Sequence, residues 1–461
     1  MAFGDEGKGT FVDYLANTHR IKNIIRYNGG SQASHTVITP GGILHKFSQL
    51  GSGMFFPESR TFLTQNMVVD PDSIVGESRE FGIKTGYSVS EVLERIFIHE
   101  DCYFVTPYHR LTNKLRELCS GENKRGSTGS GVSEVMVLME EESLGVQMKD
   151  LYNPEEFYAK LTKLHEYLAA FYEVNRQTIE ENMVDEIKDY LQEQIGSLTD
   201  PSSVDIVFNY FTDKVSRNKI NICSDFSDYL SDEEAIYEGT QGLLLDCQYG
   251  FHPNTTKVDN TNHFAVEMLK DCQPHEVSKI GILKAFTSRH GCGVFPTESK
   301  EVASLISDPN QDPSYWNGGM RFGWFDAVLA RYAQEINQVD QIFLSSLDLL
   351  GSFPIIRICD SYIYLGEKDQ RFEELFEYEN ADTLTVVKNI KQNKGITPYL
   401  EKCLPVYTEV KGWNCDISEA RKKEQLPDEC RQYIKLVQKY VGVLITVVSV
   451  GPTRMHKIRM W

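Results

Sequence analysis

Long apolar runs are missing from this 461-residue chain. None approaches the ~20 residues that a bilayer-spanning helix needs, and the first residues offer neither a basic start nor an apolar signal core. A cytoplasmic location and no membrane partner are the expectation. Basic residues are also scarce: 47 Lys and Arg stand against 66 Asp and Glu, a net charge of −19. That balance disfavours a general surface for nucleic acid or anionic lipid, so a small anionic ligand needs a local, pre-shaped site. The ten cysteines include no CxxC pair and no Cys/His cluster at zinc spacing, and they read as reduced, structural thiols. Repeats, low-complexity tracts and long Pro/Gly/Ser linkers are lacking too. One continuous domain over 1–461, with a helical insertion at 151–235, is the simplest organisation.

Short β-branched or apolar runs recur at 22–27, 37–38, 60–63, 276–284, 341–347 and 441–448. Several pass directly into Gly-rich or polar turns, as at 25–30 and 447–452. Strands that end in such loops are how α/β enzymes set ligands at the carboxyl edge of a parallel sheet. Between 154 and 228 the spacing turns helical, with Phe157, Leu161, Leu164, Leu168 and Phe171 falling on one face among charged residues. Residues 325–336 repeat that period and lead into the run at 341–347. The predicted fold is α/β, a mainly parallel central sheet flanked by helices, with the helical insertion between.

Three clusters carry candidate chemistry. Gly4-Asp-Glu-Gly-Lys-Gly-Thr10 precedes a helical segment. Its glycines let backbone N–H groups approach a phosphate, the helix N-terminus adds partial positive charge, and Lys8 supplies a point charge. The spacing is shorter than a P-loop, and Gly9 rather than Ser or Thr follows the lysine; a polar turn before a helix is the plainer alternative. Asn28-Gly-Gly-Ser-Gln-Ala-Ser-His-Thr36 sets a histidine at the mouth of a second such loop. Asp5 and His35 together suggest an acid/base pair beside a nucleotide. Arg125-Gly-Ser-Thr-Gly-Ser-Gly131 is rich in hydroxyls and backbone donors, suited to a phosphate or to a flexible surface loop.

These strings, with Glu238-Gly-Thr-Gln-Gly242, Lys284-Ala-Phe-Thr-Ser-Arg289, Phe295-Pro-Thr-Glu298, Gly323-Trp-Phe-Asp-Ala327, Leu347-Asp348 and Ser449-Val-Gly-Pro452, occur in the order seen in the adenylosuccinate synthetase family, which the chain resembles from Gly4 to its C-terminus. The resemblance implies a GTP-dependent (or ATP-dependent) ligase that joins aspartate, or a related amino acid, to IMP or a similar purine monophosphate through a 6-phosphoryl intermediate, with Mg²⁺ on the phosphates. By the same carry-over Asp5 is general base on the purine N1–H and a metal ligand. His35 donates toward the transferring phosphoryl group, and the Ser34 carbonyl reaches the metal. Gln241 completes the catalytic set with an amide hydrogen bond to the purine. Gly4, Glu6, Gly7, Lys8, Gly9, Thr10 and Thr36 belong to the triphosphate site. Ser346, Asp348, Ser449 and Gly451 belong to its base-binding end, where Asp348 accepts from guanine N1 and N2. Gln32, Thr128 and Thr256 contact the purine monophosphate, Arg321 the amine substrate, and a homodimer is implied.

Four departures from the family pattern bear on substrate choice. A loop rich in arginines that clamps aspartate is reduced, over 314–321, to Arg321 alone; because carboxylates need bidentate cationic partners, either another arginine enters the site or the amine is not aspartate. The segment after Thr128 is acidic, ending in Glu140-Glu-Glu142, where a phosphate favours a cation. The lysine that usually flanks the base-reading aspartate is replaced in Ser345-Ser-Leu-Asp348, and Gln32-Ala-Ser-His35 replaces Asn-Ala-Gly-His. The apolar strand expected before Gly4 is shortened to Met1-Ala-Phe. A catalytically weakened nucleotide-binding paralogue, with a sensing or regulatory role, is the alternative reading, and a phosphoryl transferase without ligation is a third.

Overall fold

In the computed structural model, which describes residues 1–121, 127, 129–230, 233–272, 274, 276–306 and 319–460, most parallel strands fall into two blocks, with a short third sheet of Gly29–Gly30, Met67–Val69 and Tyr103–Phe104. The first runs Ala235–Glu238, Asn23–Arg26, Arg60–Leu63, Ile96–His99, Asn221–Cys223, each pair parallel. The second runs Ile280–Lys284, Gln341–Ser345, Ile445–Ser449 in parallel and is closed by an antiparallel Lys457–Arg459. All four residues of Asn23–Arg26 are buried, as expected of a parallel strand covered on both faces. Residues 1–3 pass between the two blocks without forming a strand, and their carbonyls are taken up by the amides of Leu243 and Leu244 at 3.1 and 3.0 Å.

Both blocks end in the loops that matter. The helix Lys8–His19 starts against the second block, where Phe11 stacks on Phe343 at 4.4 Å between ring centroids. The strand Gln341–Ser345 feeds Ser346 and the turn Leu347–Leu350, and Ile445–Ser449 feeds the loop 450–456. The helix Ala327–Asn337 is capped by Asp326, whose carboxylate accepts from the Leu329 amide at 3.1 Å and from the Tyr362 hydroxyl at 2.7 Å. Helices Pro154–Asn182, Asp185–Thr199 and Ser203–Asn218 form the helical region read from the sequence. They share a core with Pro107–Cys119 through Phe104, Phe157, Leu161 and Phe211. Among the described residues no helix is long and apolar enough to cross a membrane.

Three details differ from the sequence reading. The run 441–448 is divided: Val441 ends the helix Asp428–Val441, Gly442 terminates it at φ 81°, and the strand begins only at Ile445. The run 276–284 yields a strand only from Ile280 onward, because 276–278 lie exposed beyond the sheet edge. An antiparallel sheet of Ile355–Tyr364, Phe376–Ala381, Leu384–Ile390 and Cys403–Lys411, joined by the short strand Phe325–Asp326, was not anticipated.

Candidate active site

The first glycine-rich segment turns through left-handed backbone at Gly4 (φ 90°), Asp5 (φ 52°) and Gly7 (φ 89°) before the helix Lys8–His19 begins. Gly7 is the N-cap and brings no capping side chain, so no cap takes up the first-turn amides, the kind of helix start that suits an anion. The Lys8 ammonium donates to the Gln241 carbonyl at 2.5 Å. Burial pushes it below its ordinary value, while Glu6, Asp5 and Glu238 pull it back. Gln241 is itself left-handed (φ 51°), and its side-chain Oε1 is buried without a hydrogen-bond partner. Gln32 Oε1 is likewise unpartnered. A free acceptor in a polar recess suits a ligand that brings N–H groups.

His35 opens the strand His35–Ile38 and lies against the first turn of that helix. A Cβ placed on Gly9 would sit 2.8 Å from the His35 Cβ and 3.2 Å from its carbonyl carbon. Gly9→Ala is therefore expected to push His35 off its position and cost about 1 to 3 kcal/mol; urea unfolding followed by circular dichroism measures this, and an unchanged midpoint contradicts the fit.

The orientation of His35 comes from a residue that the sequence reading did not single out. Glu238, at the end of Ala235–Glu238, accepts from His35 Nδ1 at 2.6 Å. It also accepts from the Ser52 amide at 3.0 Å and from the Ser52 hydroxyl. Burial opposes the Glu238 charge, but the Arg26 guanidinium, His35 and Ser52 outweigh it and hold the carboxyl at about 2. An ionised carboxylate can only accept, so the imidazole proton is on Nδ1. Burial pushes His35 below its ordinary value despite this partner, leaving a neutral ring whose Nε2 is buried and unpaired. Arg26, fully buried, gives one N–H to the Leu50 carbonyl at 3.1 Å and keeps Nε and its second terminal nitrogen unpartnered.

The Asp5 carboxylate is 46% exposed, and His290 Nε2 lies 3.6 Å from it. Neighbouring Ser34 is exposed. A half-open carboxylate is a hard oxygen donor that fits Mg²⁺, which keeps waters and shares substrate phosphates rather than filling a protein cage. No group of three or more His, Cys, Asp and Glu side chains that could hold a metal occurs among the described residues.

At the other end, Thr10 Oγ1 donates to the Pro452 carbonyl at 2.8 Å, tying the first loop to 449–453. The Ser345 hydroxyl donates to the Glu6 carbonyl at 2.8 Å, and Ser346 adopts φ 63°. Ser449 donates to the Gly451 carbonyl at 2.7 Å. Burial raises Asp348 to about 6, with Lys457 pulling it down and Asp416 pushing it up. Gly4, Glu6, Gly7, Lys8, Gly9, Thr10, His35 and Gln241 are thus gathered at one edge, with Ser346, Asp348, Ser449 and Gly451 beside them. Thr36 lies next to His35 on its strand. The Thr256 hydroxyl is occupied within its own loop, accepting from the Val258 amide at 3.2 Å and the Asn260 side chain at 3.3 Å. Thr128 lies outside the described residues.

Arg321 is engaged rather than free. It forms a two-point ion pair with Glu298 and donates to the Gly291 and Gly293 carbonyls at 3.1 and 2.8 Å. Its cross-strand partner is Arg289, a buried cation that reading from the sequence had left out of the site. Arg289 donates to the Val294 carbonyl at 2.7 Å and sits 4.4 Å over the Phe3 ring. Burial and the neighbouring Arg321 hold it down to about 10.

Comparison with known proteins identifies the family. The family model described as adenylosuccinate synthetase matches residues 1–458. Adenylosuccinate synthetases of Bacillus cereus and Halothermothrix orenii are 29% and 30% identical to the chain, over 98% and 99% of it and 95% and 96% of their own lengths. The fully ligated adenylosuccinate synthetase of Plasmodium falciparum superposes with a TM-score of 0.75 at 21% identity, covering 100% of this chain and 98% of that one. A succinoaminodeoxyadenylate synthetase of cyanophage S-2L, solved with dGMP and with dATP as energy donor, gives 0.54 at 15% identity over 99% and 93%. The chain belongs to the adenylosuccinate synthetase family, whose members are ligases that form a C–N bond.

Proposed function

We propose that the chain is an active purine-nucleotide ligase of the cytoplasm, condensing aspartate or a related amino acid with IMP or a similar purine monophosphate at the expense of GTP or another triphosphate. The observation that carries this reading is the unpaired Nε2 of His35, held by Glu238 against an uncapped helix N-terminus beside Lys8. A protein that only binds a nucleotide has no use for an imidazole so oriented.

In this reading Asp5 removes the purine N1 proton, and O6 attacks the γ-phosphorus as the bond to the β,γ-bridging oxygen breaks. The amine nitrogen then attacks C6, the C6–O6 bond breaks so that O6 leaves with the phosphoryl group as inorganic phosphate, and the amine gives up a proton. Asp5 and the Ser34 carbonyl would hold Mg²⁺, which neutralises phosphate charge when bound. Lys8 and the amides of the first helical turn balance the charge of a loose, in-line transition state. The arriving triphosphate raises the affinity of His35 for a proton, so that Nε2 donates to the transferring group. Gln241 and Gln32 use their free oxygens on the purine, and Asp348 accepts from the base of the triphosphate.

One observation favours a second reading, a nucleotide-binding paralogue without turnover: Arg321 is committed to Glu298 and two carbonyls, which leaves it poorly placed for a substrate carboxylate. A phosphate-release assay separates the two. GTP or ATP with Mg²⁺ is combined with IMP or dGMP and with aspartate or another amino acid, and each component is omitted in turn. Release that needs both nucleotides and the amino acid supports the ligase. Triphosphate binding without release supports the second reading. The family homodimer is expected as well, and a monomer in analytical ultracentrifugation contradicts it.

A further inference from the structure

The proposed function asks two things of Asp5, to take a proton from the purine and to hold Mg²⁺, and both need its carboxylate in a fixed orientation. Yet the residue lies in left-handed backbone (φ 52°) with its side chain 46% exposed. No hydrogen bond reaches that carboxylate among the described residues. The side chain brought to ion-pair distance is His290, whose Nε2 lies 3.6 Å from Oδ2.

The backbone that carries His290 is firmly held. His290 ends the strand Thr287–His290 and stands opposite Met320, with Arg289 opposite Arg321 one position earlier. In the turn that follows, Arg321 Nη1 donates to the Gly291 and Gly293 carbonyls at 3.1 and 2.8 Å, and Arg289 Nη1 to the Val294 carbonyl at 2.7 Å. The Gly291 amide closes on the Gly319 carbonyl at 3.1 Å. Gly293 (φ 108°) admits no side chain, because a Cβ there would collide with the Arg289 guanidinium. Both arginines thus spend N–H groups on the turn that presents His290.

The other ring nitrogen decides what His290 can do. Nδ1 is buried and has no hydrogen-bond partner. A histidine that ligates a metal passes its second N–H to an acceptor, and none is present here among the described residues. With the proton on Nε2 instead, Nδ1 is a bare lone pair and Nε2 faces the carboxylate as a donor. The gap of 3.6 Å is longer than a closed hydrogen bond, and catalytic hydrogen bonds commonly tighten as substrates bind.

We infer that His290 is a positioning residue for Asp5: its Nε2–H holds Oδ2, which turns the other carboxylate oxygen toward the purine N1–H and the metal. His290 touches no substrate and acts through Asp5. A carboxylate free to rotate would be aligned only part of the time, so the effect belongs to turnover and not to nucleotide binding. This inference rests on the roles that the proposed function gives Asp5.

The test has a kinetic and a spectroscopic arm, both on the full chain. His290→Phe keeps a flat ring and removes the donor. It should lower kcat for purine-dependent phosphate release ~10-fold, the usual worth of one hydrogen bond to a charged group, and leave KM for the triphosphate within about twofold. His290→Gln returns an N–H near the Nε2 position and should recover most of the loss. In an Asp5→Asn background His290→Phe should cost nothing further, as expected of two residues that act through one contact. A rise in KM as large as the fall in kcat, no recovery by His290→Gln, or full additivity overturns the inference and leaves His290 a brace of its turn. In nitrogen NMR of isotopically labelled histidine, the His290 signals, assigned by their loss in His290→Gln, should show the proton on Nε2. A ring protonated at Nδ1 alone overturns the inference, and this holds even if His290→Phe does not fold. A wild type that releases no phosphate overturns the proposed function itself, whereas an active wild type indifferent to His290→Phe overturns this inference alone.

Discussion

Asp5→Ala is expected to lower purine-dependent phosphate release by ~10²-fold or more, the usual loss when a general base is removed. The carboxylate is half exposed at the start of the helix Lys8–His19, within electrostatic reach of Lys8. No other carboxylate of the loop can take its place, since Glu6 is buried and accepts from the Ala2 amide at 3.0 Å. Triphosphate affinity should fall much less without Mg²⁺ than with it, because Lys8 and the first-turn amides remain while a metal ligand is lost. Asp5→Asn keeps the shape and removes the charge, so it should be as inactive as Asp5→Ala. Release that is indifferent to both substitutions contradicts the assignment.

Glu238→Gln is the second large effect. It should reduce kcat by ~10²-fold with a smaller change in KM for the triphosphate. The carboxylate stabilises the protonated imidazole that the transition state needs, and an amide does so far less. Because a negative neighbour raises a histidine pKa, its loss should shift the activity optimum to lower pH, a displacement that mere loosening of the loop does not produce. The same substitution leaves the buried charge of Arg26 without the anion facing it, at a cost of about 3 kcal/mol, read as a fall in Tm. In the wild type Glu238, held at about 2, contributes stability above its ordinary value near 4.5. That stability is lost progressively as pH falls from about 4.5 toward about 2, so Tm should decline across this interval.

The sequence revealed local units well and pairings poorly. Residues 60–63 and 341–345 are strands because each is apolar, short and bounded by polar turns, and both are buried centres of their sheets. The helices after 154 carry a repeat strong enough to stand without tertiary context. The antiparallel sheet escaped because Phe376–Ala381 is largely exposed and polar, with little alternation to read. Its order comes instead from the cross-strand neighbour Leu384–Ile390 and from the buried core around Tyr362 and Phe372. The loops at 4–10 and 28–36 announced themselves by glycine, whereas Glu238 looked like an ordinary residue of its motif. Its meaning depends on His35, 203 positions away. Lys457 meets Ser449 across a sheet, and Arg321 finds Glu298 across a hairpin-like pairing. Chemistry that belongs to one segment was legible; chemistry made by two distant segments was not.

In the proposed function Asp5 and His35 act on one metal-bound triphosphate at the start of the helix Lys8–His19. A crystal structure of the full chain with Mg²⁺, IMP and a non-hydrolysable GTP analogue tests it most directly. The ion is expected on the Asp5 carboxylate and the Ser34 carbonyl, His35 Nε2 within hydrogen-bond distance of the γ-phosphoryl oxygens, and His35 Nδ1 still on Glu238. A triphosphate bound elsewhere, or one whose γ-phosphoryl group lies beyond the reach of His35, contradicts it.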